Sequence, residues 1–166
     1  MKNKLLFDFI VNKENNTILI KREFNAPLKT VWKAWSEPAL LNKWWGPKPW
    51  YVETKSMDFK TGGHWLYVMI GPAGEQFWSK VHYREIKTEQ SITARDGFCD
   101  ENGEMNSNFP QNDWVNLFKH ENGITTIDLV LTFDNLEDLE QTVAMGFKEG
   151  FTIGLNQLEE LLPALI

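Results

Sequence analysis

An α+β fold, with a long C-terminal helix laid across an antiparallel sheet, is what this sequence predicts. Three observations carry it. Strand-like segments separated by turn chemistry fill the chain from Trp50 to Phe133. Apolar residues at helical spacing bracket that region, in two short segments before it and one long segment after it. No internal repeat, low-complexity tract or linker interrupts the order, so residues 1–166 read as a single domain.

The elements follow in order. Leu5–Val11 and Thr17–Phe24 read as strands around the polar turn Asn12–Asn16. Asn25-Ala26-Pro27 offers a helix start, because Pro is tolerated in a first turn, and Leu28, Val31, Trp32 and Trp35 continue at helical spacing. Ser36 is placed to cap a second short helix, whose apolar side carries Leu40, Leu41, Trp44 and Trp45. Gly46-Pro47 ends that helix and Pro49 prevents a restart. Further strands run over His64–Ile70, Gln76–Ile86 and Ser91–Phe98, with the turn Gly71-Pro72-Ala73-Gly74 between the first two and Asp100-Glu101-Asn102-Gly103 closing the third. Residues Glu104–Asn112 read as a loop. Asp113–Lys119 and Thr125–Phe133 flank the hairpin signal Glu121-Asn122-Gly123. Along 113–119 two inward faces compete, Trp114 with Phe118 and Val115 with Leu117. Asn135 can cap the last helix, from about Leu136 to Leu162, which Pro163 closes.

Composition excludes several functions. The 166 residues are 42% hydrophobic and 24% charged, which is globular composition, and the net charge of −6 with scattered basic residues argues against a nucleic-acid partner. Cys99 is the only cysteine, so neither an internal disulfide nor a cysteine metal site is possible. The run Leu5-Leu6-Phe7 after Met1–Lys4 is too short for a signal peptide or a membrane span, and a cytoplasmic protein is expected. His64, His82 and His120 have no metal-ligand spacing, and His82 shares a strand face with Lys80 and Arg84 that points to solvent. No nucleophile elbow, Walker loop or dinucleotide fingerprint is present, so no cofactor, metal or catalytic residue is assigned.

The distinctive content is aromatic: 8 Trp, 11 Phe and 3 Tyr. Alternation puts Trp65, Tyr67 and Met69 on one strand face, and Phe77, Ser79, Val81 and Tyr83 on another. Phe98, Trp114 and Phe118 come from neighbouring strands. Facing the long helix, these side chains form either an ordinary core or the lining of a hydrophobic binding site. Gly146, Gly150 and Gly154 stand four apart, one stripe along a helix face, and each interior Gly costs roughly 1 kcal/mol relative to Ala. The stripe serves close packing, room for a ligand, or both.

Four blocks in order carry a resemblance: Ala26-Pro27 through Trp44-Trp45-Gly46-Pro47; Gly62-Gly63-His64-Trp65 with Tyr67, Met69 and the Gly71–Gly74 turn; Tyr83-Arg84-Glu85-Ile86 with Phe98 and Asp100–Gly103; and Met145-Gly146-Phe147-Lys148-Glu149-Gly150-Phe151 with Leu155, Leu158, Leu161 and Leu162. From about Ile18 to Leu162 the chain resembles the family of homologues of the activator of the heat-shock-protein-90 ATPase, within the superfamily of START domains, polyketide cyclases and the birch-pollen allergen (SRPBCC). The resemblance implies a helix-grip fold, in which a curved antiparallel sheet, two short helices and the C-terminal helix enclose a hydrophobic cavity. It also implies ligands of the lipid, sterol, flavonoid or polyketide kind. Ser79 stands where relatives often carry Gly, which implies a narrower cavity there.

The expected function is therefore binding of a small hydrophobic molecule. Trp45, Trp65, Tyr67, Met69, Phe77, Tyr83, Phe98, Trp114 and Phe118 would line the sheet side and one mouth, and Gly146, Phe147 and Gly150 the helix side. Two alternatives stand beside it. One is a cyclase- or dehydratase-type enzyme, for which Tyr67 and Tyr83 are the inward-leaning candidates. The other is a protein-interaction module with a chaperone or other partner, which needs an exposed apolar patch outside the cavity, for example around Trp32, Trp35 and Trp44.

Overall fold

The computed structural model describes residues 4–166, so Met1–Asn3 of the N-terminal stretch lie outside the described residues. Eight strands form one antiparallel sheet: β1 (Phe7–Asn12), β2 (Thr17–Phe24), β3 (Tyr51–Asp58), β4 (His64–Ile70), β5 (Gln76–Lys87), β6 (Ser91–Cys99), β7 (Gln111–Glu121) and β8 (Ile124–Phe133). Their spatial order is β1-β2-β8-β7-β6-β5-β4-β3. Helices α1 (Leu28–Ser36) and α2 (Pro38–Trp44) are inserted between β2 and β3, and α3 (Leu136–Ala144) and α4 (Phe147–Leu161) follow β8. Register shifts at Thr54/Ser56 and Tyr83/Glu85 mark irregularities in the ladders of β3–β4 and β5–β6, the kind that bend and twist a strand pair. This is the expected α+β, helix-grip architecture.

Cross-strand register decides which side chains face the helices. Tyr67, Ser79 and Phe98 stand opposite one another in a row across β4, β5 and β6. Val81, Asp96 and Asn112 make the next row, and Tyr83, Ala94, Trp114 and Leu131 another. Trp114 and Phe118 are buried on this inner face, whereas Val115 and Leu117 are 37% and 38% exposed on the outer one. The outer face is held by charge pairs: Arg84 and Arg95 both reach Asp113, at 2.9 and 3.1 Å, and Arg95 also reaches Asp134 at 2.9 Å.

Three sequence expectations need correction. Ser36 does not cap α2; it is the last residue of α1, and Glu37 occupies the cap position with Pro38 at the start of the helix. The loop expected through Asn112 ends earlier, because Gln111 and Asn112 already pair with Gly97 and Asp96 in β7. The single helix expected from Leu136 to Leu162 is broken in two. Gly146 adopts φ +89°, the left-handed region that stops a helix and that glycine enters without a Cβ penalty, and α4 restarts at Phe147. Asn135 does cap α3, its side chain accepting from the Asp138 N–H at 2.8 Å.

The core beneath α1 and α2 is an aromatic network. Trp32 and Trp35 meet Phe118 edge-on, Trp35 meets Trp44, and Trp44 meets Trp45 at 5.2 Å. Such edge-to-face pairs set each ring's positive edge against a neighbour's negative face. The Trp44 indole is fully buried and donates to the Ala34 carbonyl at 2.9 Å. Trp32, Trp35 and Trp44, the example of a surface patch for a partner protein, are all buried and pack α1 and α2 onto the sheet. At the other edge, buried Arg22 bonds Glu159 at 2.8 Å and Asn156 at 3.0 Å, tying α4 to β2. Among the described residues no helix is long and apolar enough to cross a membrane.

Candidate functional site

Where α4 leaves the sheet, a cavity of about 530 Å³ opens between the inner face and the two C-terminal helices. This is within the range of roughly 300–1,000 Å³ typical of small-molecule sites. Its helix wall is Gly146, Phe147, Gly150 and Phe151, with Thr142 and Met145 from α3 and the turn after it. Its sheet wall is Tyr67, Met69, Phe77, Ser79, Phe98 and Trp114. Trp45, Pro47 and Trp50, from the segment joining α2 to β3, close one side. Phe77 is half exposed at the rim, stacking at a tilt on Trp50 and touching Phe98.

Three residues expected in the lining lie elsewhere. Phe118 belongs to the packing under Trp32 and Trp35. Trp65 and Tyr83 border a smaller void of about 30 Å³ beneath the cavity, together with Trp35, Trp114 and Asn116. Trp65 stacks on Tyr67 at 4.1 Å and donates its indole N–H to Thr54 Oγ1 at 3.0 Å, so it supports the cavity wall from behind. Trp35 Nε1 and Asn116 Oδ1, both beside that void, find no hydrogen-bond partner among the described residues.

The helix glycines divide into separate roles. Gly146 makes the turn between α3 and α4. A Cβ on Gly154 would sit 3.2 Å from the Trp44 carbonyl oxygen, so this glycine permits close approach of α4 to the end of α2. A Cβ on Gly150 would meet only Pro47 among the described residues, at an ordinary 3.6 Å. Packing explains Gly154, and no such contact explains Gly150. Gln157 fixes the same junction: its amide nitrogen donates to the carbonyls of Trp44 and Gly46 at 3.0 and 2.7 Å, and its oxygen accepts from the Lys48 N–H at 2.9 Å.

The sequence reading missed the most polar part of the site. Asp96, on β6 between Ala94 and Phe98, faces the cavity. With its amide oriented to satisfy both neighbours, Asn112 donates to Asp96 Oδ1 at 2.9 Å and accepts from Trp114 Nε1 at 2.9 Å. Loss of water around Asp96 dominates its ionisation and pushes the carboxyl up to about 7; the Trp114 indole and the charge of Arg95 only partly oppose this. Beside it, Trp45 Nε1 donates to the Tyr67 hydroxyl at 3.0 Å. Burial, with the added charge of Asp96, raises Tyr67 well above the usual phenol range, and burial raises Tyr83 likewise. Both tyrosines therefore stay protonated and serve as hydroxyls rather than bases. Asp96 was legible in principle, as a carboxylate on the apolar face of the alternation Ile92, Ala94, Asp96, Phe98. Asn112 was hidden by its assignment to a loop.

Among the described residues, the other chemistry-bearing side chains offer less. Cys99 is half-buried, and burial raises its thiol rather than activating it. His64 and His82 are cross-strand partners, with His64 bonded to Ser56 at 2.8 Å, but among the described residues no group of three or more His, Cys, Asp or Glu could hold a metal ion.

Comparison with known proteins agrees with the architecture. A protein of Mycobacterium smegmatis, solved by crystallography, is 30% identical, with 96% of this chain and 97% of that one covered and a TM-score of 0.87. A protein of Arthrobacter aurescens, solved by NMR, is 26% identical over 95% of this chain and 91% of its own, with a TM-score of 0.89. One from Nitrosomonas europaea is 26% identical over 90% and 96%, with a TM-score of 0.80. No curated protein matches. The family described as activator of Hsp90 ATPase homolog 1-like protein matches residues 25–163, and the chain belongs to that family.

Proposed function

We propose that this protein binds a small hydrophobic molecule, of the lipid, sterol, flavonoid or polyketide kind, in the cavity between the sheet and α4. The observation that carries this reading is the cavity itself, about 530 Å³ walled by aromatic side chains. Gly150 supports it. An interior helical glycine costs roughly 1 kcal/mol relative to alanine, and no contact among the described residues requires one at Gly150. Keeping that wall free of a side chain preserves the space. A ligand burying about 300 Å² of apolar surface gains roughly 7 kcal/mol before the cost of immobilisation. The whole chain acts as one domain in this reading, working in the cytoplasm.

The test is a titration with neutral lipids, sterols, flavonoids and aromatic polyketides, followed by amide NMR shifts. Saturable shifts are expected at Tyr67, Asp96, Trp114 and Gly150. Gly150→Phe fills the helix wall and should lower affinity at least tenfold with the fold intact. Unchanged affinity in that variant sinks the cavity reading.

Asp96 favours a second reading, a cyclase- or dehydratase-type enzyme acting on such a ligand. A carboxyl near pH 7 is matched to proton transfer at neutral pH, and it faces the space where a substrate would lie. Turnover of the best-binding compound, lost in Asp96→Asn while binding persists, distinguishes the enzyme from the carrier.

A further inference from the structure

The donor and acceptor inventory of the cavity restricts the ligand further, on the premise that the cavity is a binding site. Among the described residues neither Lys, Arg nor His lines it. Its fixed N–H donors are largely spent on the protein: Trp45 on Tyr67, Trp114 and Asn112 on the Asn112–Asp96 chain. The remaining donors are the Tyr67 and Thr142 hydroxyls, which also accept, and the rim indole of Trp50, while the Ser79 hydroxyl is engaged with Tyr67. Asp96 is the one carboxyl that the described residues bring to the lining. The same lining carries the rings of Trp45, Trp114, Phe147 and Phe151, packed on one another with centroids 5.3–6.2 Å apart, and Trp114 connects to Asp96 through Asn112.

An aromatic lining that holds a single carboxyl suits one kind of polar group. A ligand carboxylate would enter a low-dielectric space opposite Asp96 with no cation to neutralise either group. A ligand ammonium would find a counter-ion in Asp96 and the negative faces of the rings. A hydroxyl would donate to Asp96 without either gain or penalty of charge. We infer that the cavity selects hydrophobic amines, organic cations whose ammonium sits at Asp96 within the aromatic wall, and rejects carboxylates of the same shape.

Calorimetric titration of the full chain with biphenyl-4-ylmethylamine, biphenyl-4-ylmethanol and biphenyl-4-carboxylate tests this at one shape and three polarities. The amine is expected to bind best and at least tenfold tighter than the carboxylate. Asp96→Asn should erase that ratio while leaving the alcohol within about threefold. The wild-type ranking reads the inference even if the variant fails to fold. If all three bind, Gly150→Phe weakens all three, and the carboxylate equals or exceeds the amine, the inference falls and the cavity reading stands. The inference falls in the same way if Asp96→Asn keeps the amine preference. If none binds, or Gly150→Phe changes nothing, both fall.

Discussion

Asp96→Asn should stabilise the unliganded protein, and by an amount that depends on pH. In the unfolded chain the carboxyl titrates near its ordinary 3.8; in the folded state it is pushed up to about 7. The folded state therefore binds more protons than the unfolded state between these values, and linkage makes stability fall as pH rises through that window. The penalty is absent below pH ~4, grows from there to about pH 7, and is constant above. Three pH units correspond to a ceiling of about 4 kcal/mol. Relaxation and the open cavity beside the group reduce this to on the order of 1–3 kcal/mol. Arg95 points to the outer face and its Asp113 and Asp134 partners, and Tyr67 and Tyr83 are held neutral. An asparagine at this position keeps an oxygen to accept from Asn112 and carries no charge at any pH. Urea unfolding of both proteins from pH 4.5 to 8.5 gives the difference directly. The variant should gain on the wild type as pH rises and hold its lead above pH 7. A difference flat across the range, or one that grows toward acid, refutes the buried-carboxyl argument.

Other perturbations probe the frame around the cavity. Gly146→Ala forces a Cβ into the left-handed turn between α3 and α4 and should destabilise by about 1 kcal/mol in urea unfolding. Gln157→Leu strands the Trp44 and Gly46 carbonyls and frees the Lys48 N–H, at about 2 kcal/mol. Hydrogen exchange in that variant should quicken at residues 46–50 ahead of the sheet, and uniform protection would show that Gln157 does not fix the junction.

The fold was readable because its signals are local. Strand alternation, the hairpin turn at Glu121–Gly123 and the Asn135 cap each depend on a few neighbouring residues. The broken helix was not readable in the same way. Met145 and Phe147 fit the apolar spacing on both sides, so periodicity runs through Gly146, and only its backbone angle reveals the stop. The lining residues taken from strand alternation face inward, but alternation separates two faces and says nothing about depth. Tyr67 and Trp65 share a face and a stack, yet one borders the cavity and the other stands behind it. Depth is set by where α1 and α2 deposit their tryptophans, a long-range outcome. The Asp96–Asn112 pair depends on the β6–β7 register, which no single segment encodes.

That division between filled and open halves bears on how a ligand would be felt. Under α1 and α2 the inner face is closed by interlocking rings, and under α3 and α4 it is left open, with Ser79, Thr142 and Gly150 where larger side chains would fill it. The aromatic wall around the opening is held from behind: Trp65 backs Tyr67, Trp45 touches Trp44, and Gln157 pins the segment that carries Pro47. A wall braced in this way does not collapse into the space, so binding replaces missing contacts rather than forcing apart existing ones. Any molecule that fills the cavity should then stabilise the protein by mass action, by about 2.7 kcal/mol at a free concentration of 100 Kd. Because the aromatic wall belongs to both the cavity and the core, that stabilisation should reach the sheet as a whole and not only the helices above it.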